Sequence, residues 1–366
     1  MNFKLSPDRF VLPILLLLGG YISVALYLGV FLHFDFLRSD VLGYWQDSLA
    51  WKTPFQPFHV PGYPLTIALL RGITFGVPSA IGLMMSINLV TFLTSAYLVY
   101  RILNISGATD ELATMGILLF GLWPFVGLTY TVYPLADMPA MFLFLTGLFF
   151  LLISCRLPSA LFFGLAIVTH KAMWLFVGLL MIADFFYHRE FVSKRNILFI
   201  VVMLLPIGVL WLLGSYYHHS ITWLFSSNLH VEVSSRSSLP ILDGLLGTIM
   251  QGGIKGVGKG ILLTGFACVP IVAIYMSLRL KYEYFQYGLA ISLAVLLLFL
   301  TLNQSEIWAA MRFGRLLAIP LMLLADTNLK FRKIAWWNST VTAVVLSMLF
   351  LSQFAYAWYM AVVYFG

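Results

Sequence analysis

Asp40, Tyr44 and Asp47 recur at i, i+4 and i+7 in a stretch where Leu42, Trp45 and Leu49 recur at i, i+3 and i+7. On a helix the two sets fall on different faces. The apolar set would lie along a membrane interface while the acids face away from it, with Ser39 as a cap. A carboxylate held this way can take a proton from a hydroxyl, which makes Asp40 and Asp47, with Asp35 just before them, candidates for general-base chemistry. The plainer reading is a surface helix with incidental acids. His59 follows, immediately before Val60-Pro61-Gly62-Tyr63-Pro64, where the prolines fix an extended entry into the next element. Asp137 stands in Tyr133-Pro134-Leu135-Ala136-Asp137-Met138-Pro139. It is either a helix-start acid, favoured at the positive end of the helix dipole, or a second carboxylate at the mouth of a cavity. Lys171, Arg312 and Arg315 are cations at expected span ends, with Glu306 close in sequence. Any one of them can snorkel to the interface, but several at one end of a bundle suit a phosphate. Arg312 and Arg315 are three residues apart, so one anion could touch both.

The elements that must position these residues follow from composition. The chain has 366 residues, 61% hydrophobic and 10% charged, against about 45–50% and about 25% for a soluble domain. Apolar runs near the roughly 18 residues needed to span a bilayer recur along it, and irregular backbone cannot face lipid, so the spans must be helices. The expected fold class is an all-α integral membrane protein, a bundle of about eleven transmembrane helices within one domain, 1–366. Its spans are read as 11–32, 79–100, 112–129, 134–154, 157–168, 172–187, 197–214, 260–278, 286–302, 312–326 and 338–362. The first is read as a retained span, too long for a signal sequence. Amphipathic juxtamembrane helices are expected in the 33–78 loop, which holds the candidate catalytic acid. A second long loop covers 215–259, and no large soluble domain is expected in this stretch of chain.

Basic residues set the expected orientation. More than half of the 21 Lys and Arg residues cluster near the N-terminus and in the short loops on that side, notably HREFVSKR at 188–195 and NLKFRK at 328–333. This places the N-terminus in the cytoplasm, the C-terminus outside and both long loops outside. The apolar segment 157–186 suits this pattern only as two short helices that turn at Thr169-His170-Lys171.

Other chemistries are weaker. The run GIKGVGK (253–259) is close to a phosphate-binding loop, but Gly260 stands where the Ser or Thr that binds magnesium is needed. His218, His219 and His230 have no acidic partners in a metal-binding spacing. Cys155 and Cys268 read as small buried apolar residues. No GxSxG hydrolase signature occurs. The net charge of +7 is modest and suits loop topology and anionic lipid contact, and nucleic acid is not an expected partner.

Taken in order, these motifs resemble the C-type membrane glycosyltransferases (the GT-C fold). The similarity is greatest to the polyprenyl-phosphate-sugar enzymes related to protein O-mannosyltransferases and aminoarabinose transferases. That family opens its first external loop with Asp-Glu-x-x-Tyr, which Asp40-Val41-Leu42-Gly43-Tyr44 resembles, and follows it with a His-Pro-Pro-type re-entry, which His59 to Pro64 resembles. It carries a second Asp like Asp137 and a turn like Gly164-Leu165-Ala166-Ile167-Val168-Thr169-His170-Lys171. A late Arg-Tyr-x-x-Pro segment is similar to Arg312 to Pro320. Val41 stands in place of the second acid, and His170 precedes the basic residue.

The resemblance implies transfer of a sugar, a hexose such as mannose, from a polyprenyl-phosphate carrier to a lipid, glycan or protein acceptor. The reaction would run at the outer face of the plasma membrane with inversion. Asp40 would be the base, Tyr44, Asp47, His59, Asp137 and Glu306 would bind substrate, and Lys171, Arg312 and Arg315 would meet the lipid phosphate. No cofactor is expected, and a divalent metal is not favoured. The competing readings are a transporter or flippase of lipid-linked glycans and a polymerase or ligase that uses the same donor.

Overall fold

The computed structural model describes residues 8–49, 60–74, 76, 78–188, 193–221, 253–280, 284–302, 307–327 and 339–364, and the regular elements among them are helices. In chain order they are α1 (Asp8–Leu26), continued by a π-helical turn (Tyr27–Phe31), α2 (Ser39–Leu49), α3 (Gly62–Ile73), α4 (Ala80–Ile105), α5 (Asp110–Gly121), α6 (Thr129–Val132) and α7 (Asp137–Leu152). There follow α8 (Arg156–Thr169), α9 (Met173–His188), α10 (Lys194–His218), α11 (Gly253–Leu280) and α12 (Phe285–Thr301). The chain closes with α13 (Ile307–Gly314), a 3-10 turn (Arg315–Leu317), α14 (Ala318–Thr327) and α15 (Ser339–Trp358), which ends in a second π-helical turn (Tyr359–Tyr364).

Among the described residues five helices are long and apolar enough to cross a membrane: the α1 unit, α4, α10, α11 and α15. α7, α8, α9 and α12 are shorter and equally apolar. Outward residues of the five long helices, such as Leu12, Val90, Leu205, Ile261 and Leu351, are exposed apolar side chains. That is the inverse of a soluble surface and suits contact with lipid. α7 packs between α4 and α8, α8 packs on α10, and α12 on α9 and α11, while α5 lies between α4, α1 and α14.

Several expectations change in detail. The expected span 112–129 breaks after Gly121, because Pro124 lacks an N–H and cannot continue a helix. The chain then runs irregularly to the single-turn α6 and through Tyr133–Ala136 into α7. The segment 157–186 is two helices, broken at His170–Ala172, as the charge pattern required. The late span 312–326 is jointed by the 3-10 turn that carries Arg315. Residues 253–259 are the first turns of α11 and form no phosphate loop. The 215–259 loop is helical at both ends, to His218 and from Gly253. Cys155 and Cys268 are exposed on the bundle surface, contrary to the expectation of buried thiols.

A buried polar knot closes the end of the bundle where α8 begins. Asp184 accepts from Arg156 Nη2 at 3.1 Å and from the Tyr287 hydroxyl at 2.5 Å, while Arg156 Nη1 donates to Asn196 Oδ1 at 2.6 Å. Four helices (α8, α9, α10 and α12) thus meet around the Arg156–Asp184 pair, whose acid is 2% exposed. Removing one partner of a buried pair strands the other charge, at a cost of about 3–5 kcal/mol, whereas two apolar replacements are often tolerated. Asp184→Leu is therefore expected to lower unfolding stability in detergent micelles by about that amount, and the Arg156→Met/Asp184→Leu double variant to recover most of it.

Candidate active site

The opposite end of the bundle, about 21 Å away along the 14-residue α8, gathers most of the chemistry-bearing residues. Asp137 is the first residue of α7 and is 4% exposed. Its Oδ2 accepts from Arg312 Nη1 at 2.9 Å, and its Oδ1 lies 3.4 Å from His170 Nε2. Arg312 also sits over the Tyr130 ring, 4.9 Å from its centroid. Acid, arginine and histidine come from α7, α13 and the α8–α9 turn, so one carboxylate ties together three elements far apart in sequence.

The backbone fixes the histidine tautomer. The Ala172 N–H donates to His170 Nδ1 at 3.1 Å, which makes Nδ1 the acceptor and leaves the proton of the neutral ring on Nε2, facing Asp137. The ring packs edge-on to Phe313, 5.0 Å between centroids. Burial pushes the imidazole down to about 4, opposed by the neighbouring Asp137 carboxylate and reinforced by Arg312 and Lys171. The turn is set by a close approach of α3. A Cβ on Gly62 would lie 2.3 Å from the Val168 carbonyl oxygen, so only glycine lets α3 rest against the end of α8.

Asp40 lies in the first turn of α2 and is exposed. Its charge is felt at Tyr44, His170 and Arg312, so it lies within electrostatic reach of the Asp137 cluster. The linker ahead of α2 is docked by Tyr133, whose hydroxyl donates to the Arg38 carbonyl at 2.9 Å and whose ring meets Phe34. His33 and Ser39 take left-handed φ values of 48° and 49°, so both ends of this linker are sharply bent. Across α2 the two predicted faces are separate. Val41, Tyr44, Asp47 and Ser48 turn into the bundle, while Leu42 and Leu49 are exposed. The face carrying Tyr44 and Asp47 is thus the buried one, opposite to the expectation that the acids face away. Tyr44 packs edge-on against Tyr63 of α3, whose hydroxyl meets the Asn88 amide at 3.3 Å, and burial raises the Tyr44 phenol well above its ordinary value. Arg71 clips α3 to α2 by lying over the Trp45 ring.

Arg312 and Arg315 do not present themselves to one anion. Arg315 is 1% exposed, and its guanidinium donates to the Val126 and Gly127 carbonyls at 3.2 and 2.8 Å and to Thr131 Oγ1 at 3.1 Å. The 3-10 turn rotates it away from Arg312 and into the irregular 122–131 segment. Lys171 is exposed in the α8–α9 turn beside His170. His59 and Glu306 lie outside the described residues. Sequence reasoning missed Tyr130, and noted His170 only as an intruder before the basic residue. Among the described residues no three His, Cys, Asp or Glu side chains gather as a metal would need.

No family model matches the chain, and no curated protein matches it in sequence. Among solved structures it is similar to the archaeal oligosaccharyltransferase AglB from Archaeoglobus fulgidus. Against the complex of that enzyme with an inhibitory peptide and a dolichol-phosphate the TM-score is 0.55 at 11% identity, covering 96% of this chain and 56% of the other. Against its complex with Zn and sulfate the values are 0.53, 13%, 93% and 52%. The chain therefore spans just over half the length of that enzyme. The likeness is one of fold alone: the chain shares a helical architecture with that archaeal enzyme.

The neutral His170 gives a linkage with a definite sign. Its folded value lies below the unfolded value of about 6.5, so the unfolded chain takes up the proton first. The His170 contribution is present in full above about pH 6.5 and falls away as pH drops toward 4. Melting temperature measured against pH should accordingly fall more steeply through this window in the wild type than in His170→Phe. Parallel profiles would show that the ring protonates as freely when folded.

Proposed function

We propose that this protein is a membrane glycosyltransferase that moves a sugar, a hexose such as mannose, from a polyprenyl-phosphate carrier to an acceptor hydroxyl at the outer membrane face, with inversion. The observation that carries the reading is the contrast between two carboxylates at one end of the bundle. Asp137 is buried and held by Arg312 and His170, whereas Asp40 is exposed and within electrostatic reach of both. The fold likeness to an oligosaccharyltransferase, solved with a dolichol-phosphate, supports a lipid-linked donor. The basic loops support a cytoplasmic N-terminus and an external site.

In this reading the acceptor hydroxyl oxygen attacks the anomeric carbon, and its proton passes to the Asp40 carboxylate. The bond from anomeric carbon to phosphate oxygen breaks on the opposite face, and the electron pair leaves with the lipid phosphate. Arg312, bridged through Nη1 to Asp137, meets the departing charge with its remaining N–H groups, and Lys171 adds a second cation. Tyr44, Asp47, His59, Asp137 and Glu306 orient sugar and acceptor. Arg315 acts on the protein backbone, not on the phosphate. Membrane lipids surround the bundle, and the reading does not favour a divalent metal.

Purified protein in lipid nanodiscs, given polyprenyl-phosphate hexoses and a membrane lipid extract as acceptor source, should consume donor only when acceptor is present. General-base removal typically costs a factor of 10²–10⁴, so Asp40→Asn should lower turnover by roughly 100-fold or more with its melting temperature unchanged. Undiminished turnover in a folded Asp40→Asn protein rules out the assignment. Movement of lipid across vesicles without acceptor or donor consumption would instead identify a flippase.

A further inference from the structure

The last helix, α15, carries a short polar row, Ser352, Gln353 and Tyr356, within an apolar sequence. Gln353 is fully buried. A buried amide in a membrane-spanning helix is costly unless its hydrogen bonds are met, and such residues mark function more often than chance. The partners of this one all lie in the irregular segment ahead of α7 or in its own helix. Its Oε1 accepts from the Leu128 N–H at 2.9 Å, and its Nε2 donates to the Trp123 carbonyl at 3.1 Å. Its own carbonyl accepts from Thr129 Oγ1 at 3.0 Å. Beside it, Ser352 Oγ accepts from the Phe125 N–H, and the Tyr356 and Tyr130 hydroxyls pair at 3.2 Å.

The Gly127–Leu128 peptide group is therefore held from both sides. Its N–H is taken by Gln353 Oε1 at 2.9 Å and its C=O by Arg315 Nη2 at 2.8 Å. In a trans peptide these two groups point in opposite directions, so the amide and the guanidinium grip one rigid plane between α15 and the 3-10 turn. Gly127 is required there, since a Cβ would lie 2.4 Å from the Gly121 carbonyl oxygen. Arg315 is three residues from Arg312, and Tyr130, which Arg312 lies over, belongs to the gripped segment.

We propose that Gln353 is a positioning residue for the site. Through the 127–128 peptide it sets Arg315, and through Arg315 and Tyr130 it sets the place of Arg312 against Asp137. The C-terminal helix thus takes part in the site without touching substrate. The catalytic half of this proposal rests on the transferase reading above. The structural half does not.

Both halves are tested with Gln353→Met, which keeps the volume and removes the hydrogen bonds, in the full-length protein in nanodiscs. Hydrogen exchange read by mass spectrometry should quicken at least tenfold in peptides covering 122–133 and also in those covering 307–317, while 156–169 is unchanged. Turnover should fall about tenfold, and the Gln353→Met/Arg312→Lys double variant should be no slower than the worse single variant, because both changes act at one arginine. Multiplying losses, or quickened exchange confined to 122–133 or spread evenly over the bundle, overturn the proposal. If the wild-type protein transfers no sugar from polyprenyl phosphates, the transferase reading fails by itself. The exchange pattern then still decides whether Gln353 governs the arginine turn.

Discussion

A helix that stops inside an apolar bundle leaves peptide groups with no water to meet them, and the rest of this structure depends on how those groups are satisfied. α5 ends at Gly121 and α7 begins at Asp137, with only one turn of helix between. Bilayers tolerate such backbone only where protein covers it. Here the cover is Arg315 on the carbonyls of Val126 and Gly127, and Gln353 and Ser352 on the N–H groups of Leu128 and Phe125. A charged guanidinium 1% exposed is expensive unless it is fully used. Its worth lies in fixing a non-helical path that brings α7 in with an acid at its first residue.

From that path the site follows. Asp137 arrives at the positive end of α7 and captures Arg312, so the buried acid and buried base neutralise each other. His170 stays neutral, with its proton on Nε2, because the Ala172 N–H occupies Nδ1. The cluster is stiff and close to charge-balanced. Asp40 stands apart from it on α2, a helix whose approach is set by the Tyr133–Arg38 hydrogen bond and the Tyr44–Tyr63 contact. One carboxylate is thus buried and anchored and the other is accessible.

Much of this was legible in the sequence, and the reasons differ by element. Apolar runs and basic loops gave the helices, and the demand for charge on one side placed the break at His170. Period-3.6 spacing separated the two faces of α2, but could not say which face turns inward, because in a membrane protein lipid and core are equally apolar. Asp137 stood out as an acid beside two prolines. The interruption after Gly121 was signalled by Pro124 and masked by the apolar residues around it. Arg315 and Arg312 look alike in sequence, and only the 3-10 turn between them sends one to backbone carbonyls and the other to Asp137. Gln353 gave the weakest signal, a single amide in an apolar helix with Ser352 before it and Tyr356 three residues on.

The central claim is that the anchored cluster holds the donor phosphate while Asp40 acts only in the chemical step. Equilibrium binding of a polyprenyl phosphate to the nanodisc-embedded protein tests it most directly. Asp40→Asn should bind within about twofold of wild type, while Arg312→Gln, which can still donate to Asp137, should bind at least tenfold more weakly. Equal loss in both variants, or normal binding by Arg312→Gln, would contradict the account.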